Sequence, residues 1–207
     1  MLRLRTAARR MGLLRLVRCR FDLLWLRVLQ RHFEFDPWHA LAPYACRSYK
    51  RVVVDIVNRL APGTVVEIGA GLGELLAHID APRRFGYDID PGVVRAARFL
   101  HRRGITFVHG DATQIIKMPI DVLILVNWIH NLSPDELSEL LEPLMPRTTY
   151  LLLDAIDLDG PPSYRYKHTF DFLNGNAKLV SVTRAPDEPR SFHLFRVMPQ
   201  RDVATPA

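Results

Sequence analysis

Residues 64–74 read TVVEIGAGLGE, and this stretch decides the fold. Its first half is a run of β-branched residues, which predicts a strand, and Gly69, Gly71 and Gly73 end that strand. Glycines directly after a strand let a ligand approach the backbone closely, and a helix that follows them offers unpaired N–H groups. We therefore interpret the turn as one wall of a binding site and GELLAHI, from Gly73, as a helix.

The acidic residues around this turn restrict the kind of ligand. A dinucleotide-binding turn carries a third glycine at position 74, where this chain has Glu74. A carboxylate there would lie beside a pyrophosphate and repel it, which disfavours an NAD-linked dehydrogenase. Glu67 and the spacing E-x-G-x-G-x-G instead suit a ligand that carries a positive sulfonium and an ammonium group.

Strand and helix patterns alternate along the rest of the chain. Strands are predicted at 84–89, 105–110, 121–128 and 148–156, and helices after Pro91 and after the capping residue Ser133. The two last strands, Lys178 to Thr183 and Phe192 to Val197, are too close together for a crossover helix and must pair antiparallel. The pattern predicts an α/β fold, a Rossmann-like doubly wound sheet that is mostly parallel with an antiparallel last strand.

Two further carboxylates end the next two strands. Asp88 follows Gly69 by 19 residues, a distance at which a carboxylate can accept hydrogen bonds from both ribose hydroxyls of an adenosine. Asp111, at the end of the third strand, can accept from an adenine amino group. The carboxyl ends of parallel strands share one sheet edge, so we expect Glu67, Asp88 and Asp111 to surround one ligand.

In these motifs the chain resembles the class I S-adenosylmethionine-dependent methyltransferases over about residues 60–200. The resemblance implies S-adenosylmethionine as cofactor and the strand order 3-2-1-4-5-7-6. It also implies that Ile89 packs on the adenine and that Asn127 and Trp128 lie near the methionine portion. The implied cofactor-binding residues are Glu67, Gly69, Ala70, Gly71, Gly73, Asp88, Ile89, Asp111, Ala112, Asn127 and Trp128.

The fourth strand ends in Asn127-Trp128-Ile129-His130-Asn131 rather than in the Asn-Pro-Pro-Tyr of many enzymes that methylate base amino groups. This departure disfavours a nucleobase acceptor. His130 is the candidate catalytic base, because a histidine can take the proton of an attacking hydroxyl. The alternative is that His130 only caps the strand or bonds a backbone carbonyl, since many transferases need only positioning and desolvation.

Two clusters of aromatic and polar residues flank these motifs. The first, at 38–50, contains Trp38, His39, Tyr44, Tyr49 and Lys50; it is either a lid over the donor or packing for the N-terminal helix. The second, at 164–168, reads YRYKH and is either a wall of the acceptor site or an exposed turn.

The positive charge is concentrated at the N-terminus. Residues 1–31 contain nine arginines and one acid, a net charge of +8 against +6 for the whole chain. Leu14, Val17, Phe21, Leu24 and Val28 share one face of the predicted helix, which we expect to pack on the domain, with contact to a membrane surface as the alternative. The arginines exclude a spanning helix and a secretory signal.

The sequence predicts three parts: a basic helical extension with a lid segment at 1–59, a methyltransferase domain at 60–200 and a disordered tail at 201–207. Cys19 and Cys46 have no redox or metal-ligand spacing, so we expect no metal site and a reducing, cytoplasmic location, with contact at the inner membrane surface as a variant.

Three functions remain open. The first is O-methylation of a small-molecule or glycan-like hydroxyl acceptor. The second is RNA methylation, with the basic helix recruiting the nucleic acid. The third is a non-catalytic donor-binding protein that acts at a membrane or on a partner.

Overall fold

A seven-stranded sheet forms the centre of the computed structural model, which describes residues 13–199 apart from 42, 102–103, 112, 114–115, 158–159 and 161–163. The strands are β1 (Thr64–Ile68), β2 (Arg83–Asp88), β3 (Thr106–His109), β4 (Ile120–Leu125), β5 (Thr148–Ile156), β6 (Ala177–Arg184) and β7 (Arg190–Val197). The helices are α1 (Leu13–Phe33), α2 (Ser48–Asn58), α3 (Pro91–Leu100) and α4 (Pro134–Leu141). Short 3-10 turns lie at Pro37–Ala40, Tyr44–Cys46, Leu76–His78, Ile129–Asn131, Met145–Arg147 and Asp171–Leu173. The predicted tail at 201–207 lies outside the described residues.

The strand order is β3-β2-β1-β4-β5-β7-β6, which confirms the order that the resemblance implies. Strands β1 to β5 are parallel, and β7 runs antiparallel to both β5 and β6. The central strands β1 and β4 are apolar because both of their faces are covered. Buried clusters on the two sides of the sheet form two cores, and the carboxyl ends of β1, β2 and β4 come together at one edge.

Local capping explains where the helices begin. Asp90 accepts from the N–H groups of Gly92 and Val93 at the start of α3, and Pro91 fills the first helical position. At α4, Ser133 and Glu136 form the reciprocal capping box that is typical of a helix start. Both starts are at the predicted positions.

The prediction of a helix directly after the glycine turn is wrong. The chain forms turns there and a 3-10 turn at Leu76–His78, so no α-helix begins at the glycine turn. The left-handed backbone at Gly73 (φ +73°) is incompatible with a right-handed helix, so the turn continues through the residue at which the helix was predicted to begin.

The packing of α1 is the reverse of the expectation. The five apolar residues Leu14, Val17, Phe21, Leu24 and Val28 are exposed, whereas Leu26 and Leu29 on another face are buried against the domain. A helix with two apolar faces can bury either one, and its contacts with the rest of the fold determine which face is buried. No helix in the described part of the chain is long and apolar enough to cross a membrane.

The two cysteines form a disulfide, which the sequence interpretation did not expect. Cys19 on α1 is joined to Cys46 in the segment before α2, with their Cα atoms 5.2 Å apart. A single pair separated by 27 residues gives no recognisable spacing, so the bond becomes apparent only when α1 folds back on residues 44–46. The location of the protein stays a prediction.

Candidate active site

A cavity of about 310 Å³ lies at the carboxyl ends of β1, β2 and β3, and we call it the outer cavity. Its walls include the glycine turn, the ends of β2 and β3, and two tryptophans. They are formed by Trp38, Ile68, Gly69, Tyr87, Asp88, Ile89, Gly110, Asp111, Thr113, Trp128 and Leu140. The sheet therefore brings Asp88 and Asp111 to one cleft, as their positions at neighbouring strand ends predict.

Asp88 lies between the glycine turn and the end of β2. Its side chain is buried, Oδ2 accepts from the backbone N–H of Gly71 at 2.9 Å, and Oδ1 accepts from the N–H of Asp90 at 3.0 Å. A carboxylate oxygen has two lone-pair directions, so each oxygen can accept a further hydrogen bond. Asp88 thus fixes the turn and can bind a diol in the cavity.

Asp111 and Ile89 also line the outer cavity. Asp111 Oδ1 accepts from both the N–H and the hydroxyl of Thr113, which fixes the direction of this carboxylate. Ile89 is 80% exposed, which leaves its apolar side chain available for a flat ring. The predicted ligand residue Ala112 lies outside the described residues.

Two glycines of the turn have no room for a side chain. At Gly69 (φ +69°) a Cβ would lie 2.4 Å from Trp128 Nε1, because the indole packs under the turn and donates to the carbonyl of Ile68 at 2.7 Å. At Gly73 a Cβ would lie 2.2 Å from the Phe107 ring. Gly73 lines neither cavity, so its part in the site is to shape the turn.

A second cavity of about 60 Å³, which we call the inner cavity, shares the lining residues Trp38 and Gly69 with the outer cavity. The predicted residues Glu67, Ala70, Gly71 and Asn127 line the inner cavity. Four members of the aromatic and polar cluster, Trp38, His39, Tyr49 and Lys50, also line this cavity. Tyr44 instead stacks on His78 with ring centroids 3.6 Å apart.

Charged groups of both signs meet in the inner cavity. The Lys50 ammonium pairs with Glu74 Oε2, and Glu74 Oε1 accepts from the N–H of Tyr44 at 2.9 Å. Glu67 is fully enclosed, and burial raises its pKa well above the ordinary value, with a smaller opposing effect from Lys50. Its buried Oε2 atom has no hydrogen-bond partner within the described part of the chain. The inner cavity therefore leaves one carboxyl oxygen of Glu67 for a polar group of a ligand.

Sequence reasoning missed a buried ion pair behind this cavity. Arg190 on β7 donates from Nη1 to Asp154 Oδ2 at 2.8 Å and to Asn127 Oδ1 at 3.0 Å. Asp154 Oδ1 accepts from the Asn127 N–H at 3.0 Å, and the Arg190 guanidinium lies 4.7 Å from the centre of the Tyr49 ring. Together these contacts hold Asn127 in a left-handed conformation (φ +76°). The one signal in the sequence is the acid inside the apolar run LLLDAI.

His130 lies beyond Trp128 and lines neither cavity. Its ring meets the Tyr164 ring edge-on at 4.6 Å, and its carbonyl accepts from the N–H of Tyr166 at 2.9 Å. His168 is buried, and its Nε2 lies 3.0 Å from the Ile129 carbonyl. The segment 164–168 is therefore not an exposed turn, because it packs along the end of β4 beside His130.

Burial lowers the pKa of His130 to about 4, and the positive charge of Arg190 adds to the effect. Its Nδ1 is buried and has no hydrogen-bond partner within the described residues. The imidazole is therefore neutral at neutral pH. In the part of the chain that the structure describes, no group of three or more His, Cys, Asp or Glu side chains is placed to hold a metal ion.

Structure comparison relates this architecture to known proteins. A magnesium protoporphyrin IX methyltransferase from Synechocystis with bound SAM matches with a TM-score of 0.59 at 16% identity, over 73% of this chain and 80% of its own. The N-methyltransferase NodS from Bradyrhizobium japonicum with bound S-adenosyl-L-homocysteine matches with a TM-score of 0.63 at 14% identity, over 83% and 97%. The chain has the class I methyltransferase fold.

The likeness extends to enzymes that act on oxygen. The mitomycin 7-O-methyltransferase matches with a TM-score of 0.55 at 16% identity, over 72% of this chain and 56% of its own. No protein-family model matches the sequence, and a search of curated proteins also finds no match. At these identities the comparisons confirm the class I methyltransferase fold.

Proposed function

We propose that the protein binds S-adenosylmethionine and methylates a hydroxyl group of a small-molecule or glycan-like acceptor. One observation carries the proposal: the carboxylates of Glu67, Asp88 and Asp111, from three neighbouring strands, line two adjacent cavities beside one glycine turn. Two solved proteins of this fold, the magnesium protoporphyrin IX methyltransferase and NodS, hold SAM and S-adenosyl-L-homocysteine. The mitomycin 7-O-methyltransferase, which also has this fold, is an O-methyltransferase.

Each end of the donor has a chemically matched partner. Asp88 accepts from the ribose hydroxyls, Asp111 accepts from the adenine amino group, and Ile89 covers the ring. In the inner cavity the Lys50–Glu74 pair offers both charges to a zwitterionic amino-acid end. When bound, the donor supplies an electrophilic methyl group on positive sulfur, and alignment of an acceptor oxygen with that methyl group favours its transfer.

The donor assignment is tested by isothermal calorimetry with S-adenosylhomocysteine and with NAD. We expect S-adenosylhomocysteine to bind and NAD to give no heat of binding, because the Glu74 carboxylate would repel a pyrophosphate. Transfer of a labelled methyl group to panels of hydroxyl compounds, amines and RNA then identifies the acceptor. Binding of NAD alone would overturn the proposal, and labelling of amines or RNA alone would overturn its hydroxyl acceptor.

His130 is the proposed base. We expect H130Q to lower turnover on the true acceptor roughly 10²- to 10⁴-fold, the usual contribution of a general base, while affinity for S-adenosylhomocysteine stays unchanged. H193Q is a matched control, because His193 on β7 is also a half-buried histidine whose pKa is lowered by burial. If H130Q turns over as fast as the control, His130 has no part in proton transfer.

The pKa of His130 fixes the pH dependence. A base must be unprotonated, and with a pKa of about 4 His130 stays neutral down to about pH 5. We expect turnover to be constant from pH 8 to pH 5 and to fall as the pH drops through about 4. A profile that falls near pH 6.5, in a protein that remains folded by circular dichroism, would contradict this assignment.

A further inference from the structure

An apolar stripe runs along the outward face of α1. Leu14, Val17, Phe21, Leu24 and Val28 follow one another at three- and four-residue steps and are 58% to 88% exposed. At 1.5 Å per residue the stripe is about 21 Å long. A continuous exposed apolar surface of this kind marks an interaction site in proteins that are otherwise water-soluble.

The other side of α1 is fixed to the domain. Leu26 and Leu29 are buried in the core, and Cys19 is joined to Cys46 by the disulfide. At the end of the helix the Arg95 guanidinium donates to the carbonyl of Phe33 at 3.1 Å. Turning the stripe inward would break all of these contacts, so the stripe faces outward in the folded protein.

Arginines lie along the two edges of the stripe rather than on the opposite side of the helix. With 3.6 residues per turn, Arg20, Arg27 and Arg31 lie within about 40° of one another, beside Leu24, and Arg18 lies along the other border. These four arginines have exposed side chains. Asp22 is the one acid in the sequence of α1.

The pattern selects among three occupants of the stripe. A second copy of α1 would place arginines opposite arginines along the seam, and like charges there are destabilising. RNA would pair with the arginines but would leave the aliphatic side chains in water. An anionic lipid surface takes both, since acyl chains cover the apolar side chains while headgroups meet guanidinium groups at the same depth.

We propose that α1 is an interfacial helix that holds the protein on an anionic membrane surface through this stripe. The proposal does not depend on methyl transfer, and it is tested without the donor. The full-length protein is sedimented with phosphatidylcholine vesicles and with vesicles containing one part in four of phosphatidylglycerol. We expect sedimentation with the anionic vesicles only, and less of it as salt is raised.

Paired variants separate the apolar and the charged contributions. F21Q/L24Q removes two stripe residues, and we expect vesicle affinity to fall roughly tenfold or more. L179Q/V182Q is the control, because both residues are about half exposed on the edge strand β6. The control should bind like wild type.

R20Q/R27Q should lower affinity for anionic vesicles about 30-fold, at about 1 kcal/mol for each arginine near the surface. The control R59Q/R83Q loses the same charge from exposed arginines outside α1 and should bind like wild type. Circular dichroism checks that each variant is folded.

Four results would overturn the proposal. The first is no sedimentation of wild type, and the second is an equal loss in a variant and its control. The third is a dimer that F21Q/L24Q converts to a monomer, which would assign the stripe to a second copy. The fourth is an RNA that displaces the protein from the vesicles and that binds R20Q/R27Q more weakly than wild type.

Discussion

Asp88→Ala should lower the affinity for S-adenosylhomocysteine roughly 10²- to 10⁴-fold. Two hydrogen bonds from hydroxyls to a charged acceptor contribute about 1.5–3 kcal/mol each, and 1.4 kcal/mol corresponds to a tenfold change in affinity. The substitution also removes the acceptor of the Gly71 N–H, so the glycine turn loses its link to β2. Calorimetric titration of wild type and variant measures the effect.

The chain offers a matched control, Asp121, on the neighbouring part of the sheet in β4. Asp121 Oδ2 accepts from the backbone N–H groups of Gly63 and Thr64, both at 2.8 Å, so Asp121→Ala also removes a carboxylate that holds two amides. Asp121 lies near the amino end of β4, beside the amino end of β1, and lines neither cavity. We expect a similar loss of stability and unchanged nucleoside binding. Equal binding losses in the two variants would mean that Asp88 acts only through the fold.

The largest effect on stability is expected from Arg190→Met. The Arg190 and Asp154 side chains are 2% and 1% exposed, and removal of one partner of such a buried pair costs about 3–5 kcal/mol. For a chain of this size we expect the melting temperature to fall by about 10 °C, measured by thermal denaturation. S-adenosylhomocysteine should also bind the variant more weakly, because Asn127 loses the hydrogen bond from Arg190 to its Oδ1.

The pH dependence of stability and a double variant show whether R190M is destabilised by the unpaired Asp154 carboxylate or by lost packing. Burial already raises the pKa of Asp154, and without the opposing charge of Arg190 it rises further. A raised pKa in the folded state means that stability is retained at low pH and lost as the pH rises. The deficit of R190M should therefore be smaller at pH 5 than at pH 8, and D154N/R190M should recover most of it. A deficit that is independent of pH and persists in the double variant would assign the effect to packing.

The sequence predicted what is encoded locally. The strand at 148–156 is found at the predicted bounds, and the start of α4 follows from Ser133, Pro134 and Glu136 alone. The glycine turn, Asp88 and Asp111 were also recognisable, because each follows directly after an apolar run. Parallel strands then bring their carboxyl ends to one edge, so a few local signals specify most of the cleft.

What could not be predicted depends on contacts between distant segments. α1 has two apolar faces, and its sequence does not say that Leu26 and Leu29 are the ones buried. The partner of Asp154 lies 36 residues away in the chain, on a strand that is its neighbour only through the order β5-β7-β6. The roles of His130 and of the lid segment stay predictions until the variants are measured.

The insertion of β7 between β5 and β6 has a consequence for how the protein is made. A ribosome releases the chain from its amino end, so β7 leaves the exit tunnel after all the other described strands. Until then β5 has an unpaired edge, and Asp154 lacks its guanidinium. A chain that still lacks β7 therefore leaves backbone groups along one edge of β5 unpaired and a carboxylate without its counter-charge.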